Sequence, residues 1–131
     1  SVKKLLISLI KEFKIKKNYI LGHSDVSPNR KKDPGEKFPW AKLAKNGLVW
    51  FHDLDQKKIK KFRKVKLSSK FDKNIFLKNL YKIGYKKIEG LKLSKNIEYL
   101  TKAFQRRFRQ DLVDGKIDQE CLKISKNLAS H

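Results

Sequence analysis

The 131-residue chain carries 34 Lys and Arg against 13 Asp and Glu, a formal charge of +21, and a single cysteine. That length holds one core, or a domain fragment joined to a small second domain; one cysteine excludes an intrachain disulfide, and no apolar run approaches the ~20 residues that a membrane-spanning helix needs. The cations are spread along the whole chain, so they favour any polyanion without selecting one, and the coding bias of an AT-rich genome accounts for them equally well.

In chain order, Leu5, Leu6, Leu9, Ile10 and Phe13 recur at helical spacing among lysines and predict an amphipathic helix ending near Lys17-Asn18. Tyr19-Ile20-Leu21 then fits a short strand closed by Gly22. One strand cannot make a sheet, so its partners are expected outside this chain or in another copy.

A polar loop from Gly22 to Gly35 follows, holding His23, Lys31 and Asp33 within eleven positions. A neutral imidazole and a hard carboxylate are donors that zinc accepts, and a turn at Pro28-Asn29 can bring His23 and Asp33 to one ion. Two ligands cannot hold a catalytic zinc, so at least one more must come from elsewhere. Asp25 either holds His23 from behind or caps the turn. Lys31 lies in Arg30-Lys31-Lys32, which would read as a solvated charge run but for the spacing.

Phe38-Pro39-Trp40 leads into a helix of one to two turns stopped by Asn46-Gly47, and Leu48 to Phe51 is a brief apolar segment. Trp40 either borders a substrate groove or packs against the short helix. From His52 to Lys70 the composition turns polar and lysine-heavy, with little periodicity beyond Ile59, Phe62 and Val65. Three helices are expected beyond it, at Asp72 to Ile83, Ser94 to about Arg109, and Asp118 to about Leu128. Their stripes are Phe76, Leu80 and Ile83; Ile97, Leu100, Phe104 and Phe108; and Ile117, Cys121, Ile124 and Leu128. Gly84 stops the first, Asp114-Gly115 supplies the last turn, and Asp118 or Ser94 can cap a helix start. Cys121 reads as a small core residue. Arg106, Arg107 and Arg109 fall off the apolar stripe and are expected to face solvent, as a basic patch or a plain solvated face.

The run Gly22-His23-Ser24-Asp25, Arg30-Lys31-Lys32-Asp33-Pro34-Gly35 and Phe38-Pro39-Trp40 resembles the zinc-dependent N-acetylmuramoyl-L-alanine amidases related to the peptidoglycan recognition proteins. Farther on, Gly84-Tyr85, the stretch from Ala103 to Arg109 and Asp114-Gly115-Lys116-Ile117-Asp118 resemble the small peptidoglycan-binding module of that family's outer-membrane lipoprotein members. The resemblance implies that His23 and Asp33 are two of three Zn2+ ligands and that Lys31 is the catalytic cation near the reacting carbonyl. It also implies that the bond cut joins N-acetylmuramic acid to the L-alanine of the stem peptide. The fold implied is an α/β amidase remnant, the C-terminal part of a mixed-sheet domain that is mostly helix and loop here, over residues 1–52. A connector at 53–70 and a three-helix peptidoglycan-binding-like domain at 71–131 follow.

The family's remaining His ligand and its catalytic Glu belong to an N-terminal half with no counterpart in this chain. His52 and His131 lie on the wrong side of the loop to replace that ligand, and Glu12 sits on the first helix. The zinc site is therefore expected to be incomplete and the chain inactive by itself, as the product of a split or decayed gene, processing or trimming. Expected partners are peptidoglycan or muropeptides and a separate N-terminal half. The family points to the periplasm or outer membrane, although no signal peptide is visible and the chain as given would stay in the cytoplasm. A non-catalytic wall-binding protein is the alternative. Charge-driven nucleic-acid binding ranks last, because no recognition motif accompanies the dispersed lysines.

Overall fold

A computed structural model describes residues 2–14, 21–22, 25, 28 and 37–131, and among these the chain forms helices and loops without a strand. Helix α1 (Val2–Phe13) has the expected amphipathic spacing but buries no residue. Leu6 packs on a small cluster of Trp40, Leu43 and Val49, while Leu5 and Phe13 are 62% and 64% exposed. Of the expected strand, Tyr19 and Ile20 lie outside the described residues, and Leu21 is exposed and not in a strand.

Helix α2 (Trp40–Lys45) ends where Asn46-Gly47 predicts. Gly47 takes a left-handed φ of 70°, which lets its N–H reach the Ala44 carbonyl (2.9 Å) and the Leu48 N–H reach that of Leu43 (3.1 Å). These two bonds satisfy carbonyls that the helix end would otherwise leave open.

Residues 53–70 are not a bare tether. Asp55 caps α3 (Gln56–Ile59) by accepting the Lys57 N–H, and a 3₁₀ turn, Lys60–Phe62, continues it. Ile59 enters the main core and Leu67 packs against it. The stretch is then stitched to the start of the last helix: the Lys64 N–H donates to Asp118 (3.0 Å) and the Gln119 N–H to the Val65 carbonyl (2.9 Å). Arg63 adds a side-chain ion pair with Glu120 (2.9 Å) to these backbone contacts.

The remaining helices are α4 (Lys70–Lys82), α5 (Leu93–Phe108) and α6 (Gln119–Ala129), each within about two residues of its sequence signals, as local capping allows. Ser69 caps α4 and Asp118 caps α6, its carboxylate accepting the Cys121 N–H. Ser94 is not a cap; it lies inside α5, where Lys92 precedes the first turn without a side-chain bond. Phe76, Leu80, Leu100, Phe104, Phe108, Cys121, Ile124 and Leu128 meet in one core, as the stripes predict. Cys121 is fully buried, and burial pushes its thiol up to about 12.

The arginines of α5 depart from expectation. Arg106, Arg107 and Arg109 are buried. The sequence marks one apolar stripe on α5 and assigns the arginines to solvent, yet the segment before the helical unit covers Arg107, which lies 3.7 Å from the Trp40 ring centroid and donates to the Trp50 carbonyl (2.9 Å). Trp50 and Phe51 pack on the stripe residue Phe108 at ring separations of 6.2 and 5.5 Å. Phe51 also touches the Trp40 cluster, so it joins the two cores. Arg109 is held by ion pairs with Asp118 and with Glu120 (3.2 Å), and Glu120 also accepts from Arg63 (2.9 Å). Asp118 is correspondingly acidic: burial works to raise it, but the Cys121 N–H, Arg109 and the Lys64 N–H outweigh that and lower it below the usual 3.8.

Phe104 stands at the centre of this core, fully buried, edge-on to Phe76 at 5.1 Å and tilted against Phe108 at 5.2 Å. Phe104→Ala should destabilise the chain by about 3–5 kcal/mol. Urea denaturation followed by circular dichroism measures this directly, and a midpoint equal to that of the wild type would show that the stripes do not form the core.

Candidate functional site

The described part of the candidate site begins at the end of α4. Gly84 adopts a left-handed φ of 118°, its N–H donates to the Tyr81 carbonyl (3.2 Å), and the Tyr85 N–H donates to that of Leu80 (3.0 Å). This terminal motif turns the residue after the glycine back onto the helix, so Tyr85 is buried in the core beside Leu80. Its phenolic tip is then aimed at the loop: the O–H donates to Asp25 Oδ1 at 2.6 Å.

Asp25 is engaged from three sides. Its Oδ2 accepts the Gly22 N–H at 3.0 Å and faces Arg107 Nη1 at 3.4 Å, and its own N–H donates back to the Gly22 carbonyl (3.1 Å). Arg107 comes from the last turn of α5, donates through Nη2 to the Trp50 carbonyl (2.9 Å), and lies 3.7 Å above the Trp40 ring centroid. Burial lowers the Arg107 pKa while the Asp25 carboxylate pulls it back up. Burial and the same carboxylate hold the Tyr85 phenol well above its ordinary value, so it stays a donor. The trio faces a cleft of about 570 Å³ that Trp50, Phe108 and His131 also line.

Of the residues that the sequence singles out, His23, Lys31 and Asp33 lie outside the described residues, and among the described residues no group of three His, Cys, Asp or Glu could hold a metal. The donor chemistry of His23 and Asp33, an imidazole and a carboxylate, suits two positions of a zinc site. Asp25 has both oxygens engaged by the Tyr85 O–H, the Gly22 N–H and Arg107, so it holds the turn at Gly22. Trp40 is 3% exposed, and among the described residues Phe38 packs against it at 4.6 Å and Arg107 lies on its face. In the sequence Tyr85 falls only in a stretch that resembles the peptidoglycan-binding module and Arg107 only on a solvent-facing basic patch or solvated face, and neither is expected at the loop. The one available signal was Gly84, whose helix-stopping role implies that the residue after it folds back inward.

No family model matches the chain. Over 120 residues it is 28% identical to the N-acetylmuramoyl-L-alanine amidase AmiD of Escherichia coli, covering 92% of this chain and 43% of that protein. Among solved structures, 98% of the chain superposes on 49% of E. coli AmiD in complex with its substrate anhydro-N-acetylmuramic acid-L-Ala-D-gamma-Glu-L-Lys, at a TM-score of 0.80 and 27% identity. It also superposes on AmpDH3 of Pseudomonas aeruginosa, crystallised alone and with an anhydromuramic pentapeptide, at a TM-score of 0.77 and 26% identity in each case. The chain is thus similar in sequence and fold to peptidoglycan amidases and spans about half the length of those relatives.

His52 occupies a different environment from the loop. It is 7% exposed, stacked on Phe51 at 4.5 Å, and its Nδ1 has no hydrogen-bond partner among the described residues. Burial brings its pKa down from 6.5 to about 4, against the opposing pull of Asp53. The unfolded chain therefore takes up a proton at this residue before the folded chain does, so its contribution to stability is complete above pH 6.5 and is lost as the pH falls from 6.5 towards about 4. Urea midpoints measured from pH 7.5 to 4.5 should fall less steeply in His52→Gln than in the wild type, by about one proton in the linkage slope. Parallel slopes would show that His52 is not held neutral by the fold.

Proposed function

We propose that the chain is the C-terminal part of a zinc-dependent N-acetylmuramoyl-L-alanine amidase, acting on peptidoglycan or muropeptides in the periplasm or at the outer membrane. The observation that carries this reading is the superposition of 98% of the chain, at 27% identity, on a substrate-bound amidase. His23 and Asp33 would hold the metal, and Lys31 would sit beside the oxygen that gains charge as the amide is attacked. A bound zinc supplies an acidified water and a polarised carbonyl, and an ammonium is a suitable partner for the resulting oxyanion. Residues 71–131 would serve as the peptidoglycan-binding part.

The remaining His ligand and the general base would come from a complementary N-terminal segment. The exposed Leu5 and Phe13 of α1 support this, because they form an apolar face that a further part of an amidase domain can cover. A single helix face left to water in this way is otherwise an association liability.

The test is complementation. The purified chain with zinc should release no stem peptide from an anhydromuramyl tripeptide, since two ligands do not make an open catalytic site. Addition of the N-terminal half of the E. coli relative as a separate polypeptide should produce release that a chelator abolishes. Release by the chain alone would overturn the incomplete-site reading. Failure of the mixture, with the chain still sedimenting on peptidoglycan, would favour a non-catalytic wall-binding protein.

A further inference from the structure

Asp25, two positions after His23 in the sequence, is held by charged and hydrogen-bonding groups drawn from two different helices. Tyr85 leaves the end of α4 and Arg107 the last turn of α5, and the two converge on one carboxylate, that of Asp25, two positions from His23. Neither contact is a surface accident. Arg107 and Asp25 have side chains 3% and 6% exposed, and Tyr85 is 7% exposed. A carboxylate removed from water to this degree is stable only where donors replace its hydration. Here three do so: the Tyr85 O–H, the Gly22 N–H and the Arg107 guanidinium.

Each donor is itself held. Gly84 fixes the direction of Tyr85, and the guanidinium is clamped between the Trp40 ring and the Trp50 carbonyl. A flat guanidinium is attracted to an indole face by the ring quadrupole, most strongly when desolvated, so its position is well determined. The Asp25 carboxylate in turn fixes Gly22, the residue immediately before His23, through the Gly22 N–H. Position is therefore transmitted from helix ends, through Asp25, to Gly22, which precedes His23 in the sequence.

We propose that Tyr85 and Arg107 are positioning residues for the zinc-ligand loop, so that the helical unit presets the metal site as well as serving any wall-binding role. This rests on the reading of His23 and Asp33 as zinc ligands. Groups that orient metal ligands from behind commonly change metal affinity by about 10–100-fold when removed. Here they belong to a part of the chain that the sequence separates from the loop.

The experiment uses the full chain, with zinc itself as the probe, and compares the wild type with Tyr85→Phe, Arg107→Lys and His23→Ala. Tyr85→Phe keeps the ring in the core and removes only the O–H. Arg107→Lys keeps a charge but loses the planar clamp, and it serves as the second variant if the first is poorly folded. Two quantities are read in variants whose circular dichroism matches the wild type: the zinc dissociation constant by calorimetric titration, and the exchange rate of the Gly22 amide. Tyr85→Phe should weaken zinc binding by about 10-fold and speed Gly22 exchange. An unchanged dissociation constant in Tyr85→Phe, with zinc uptake lost in His23→Ala, would overturn the positioning claim and leave the zinc reading intact. Wild-type uptake by His23→Ala would refute the zinc reading instead. The Gly22 exchange rate then decides the positioning claim by itself: faster exchange in Tyr85→Phe upholds it and unchanged exchange overturns it.

Discussion

The structure depends on how one helix end disposes of its buried positive charge. The last turn of α5 carries Arg106 and Arg107, and Arg109 follows as its cap residue. The helix dipole favours cations at that end, but it cannot by itself offset removal of a guanidinium from water, which costs several kcal/mol. The offset comes from carboxylates delivered by other segments. Arg109 takes Asp118 and Glu120 from the start of α6, and Arg107 takes Asp25 from the loop. Two adjacent parts of one helix end thus pin two different regions of the chain.

This arrangement explains why the polar stretch at 53–70 is ordered against the helices. Arg63 shares Glu120 with Arg109 and reaches Asp111 at 2.7 Å, while the Lys64 N–H shares Asp118 with the same Arg109. Each carboxylate serves more than one donor, so the pairs form a network in which removal of one member leaves buried charge behind. Apolar contacts reinforce the same layout. Phe51 touches both the Trp40 cluster and the main core, so the segment expected as an amidase remnant and the helical unit share packing as well as ion pairs.

What the sequence disclosed and what it concealed divide along the range of the interactions. Gly47, Gly84 and the capping oxygen of Asp118 act within a few residues of themselves, and the helix ends they mark are where the structure has them. The core stripes were legible for a similar reason, because α4, α5 and α6 bury the faces that their own periodicity defines. The burial of Arg107 was not legible. Its partner Asp25 is 82 positions away, and its ring contact, Trp40, belongs to a segment whose composition gives no sign that it packs on α5. Periodicity names the face a helix hides; it does not say whether a second partner hides the others. Tyr85 lies between these cases, since Gly84 predicts that it turns inward but not that its hydroxyl finds a carboxylate. The motif residues His23, Lys31 and Asp33 were the most specific part of the sequence, and their significance rests on donor chemistry and on the likeness to peptidoglycan amidases.

The central claim is that loop and helical unit are energetically one body through the buried Arg107–Asp25 contact. A double-mutant cycle measures that most directly: urea unfolding of the wild type, Asp25→Asn, Arg107→Met and the double variant at pH 7. The expected result is a coupling free energy between the two sites within the range of about 0.5–3 kcal/mol seen for residues in direct contact. Effects that simply add, to within about 0.3 kcal/mol, would contradict it and leave the loop an independent attachment to the helices.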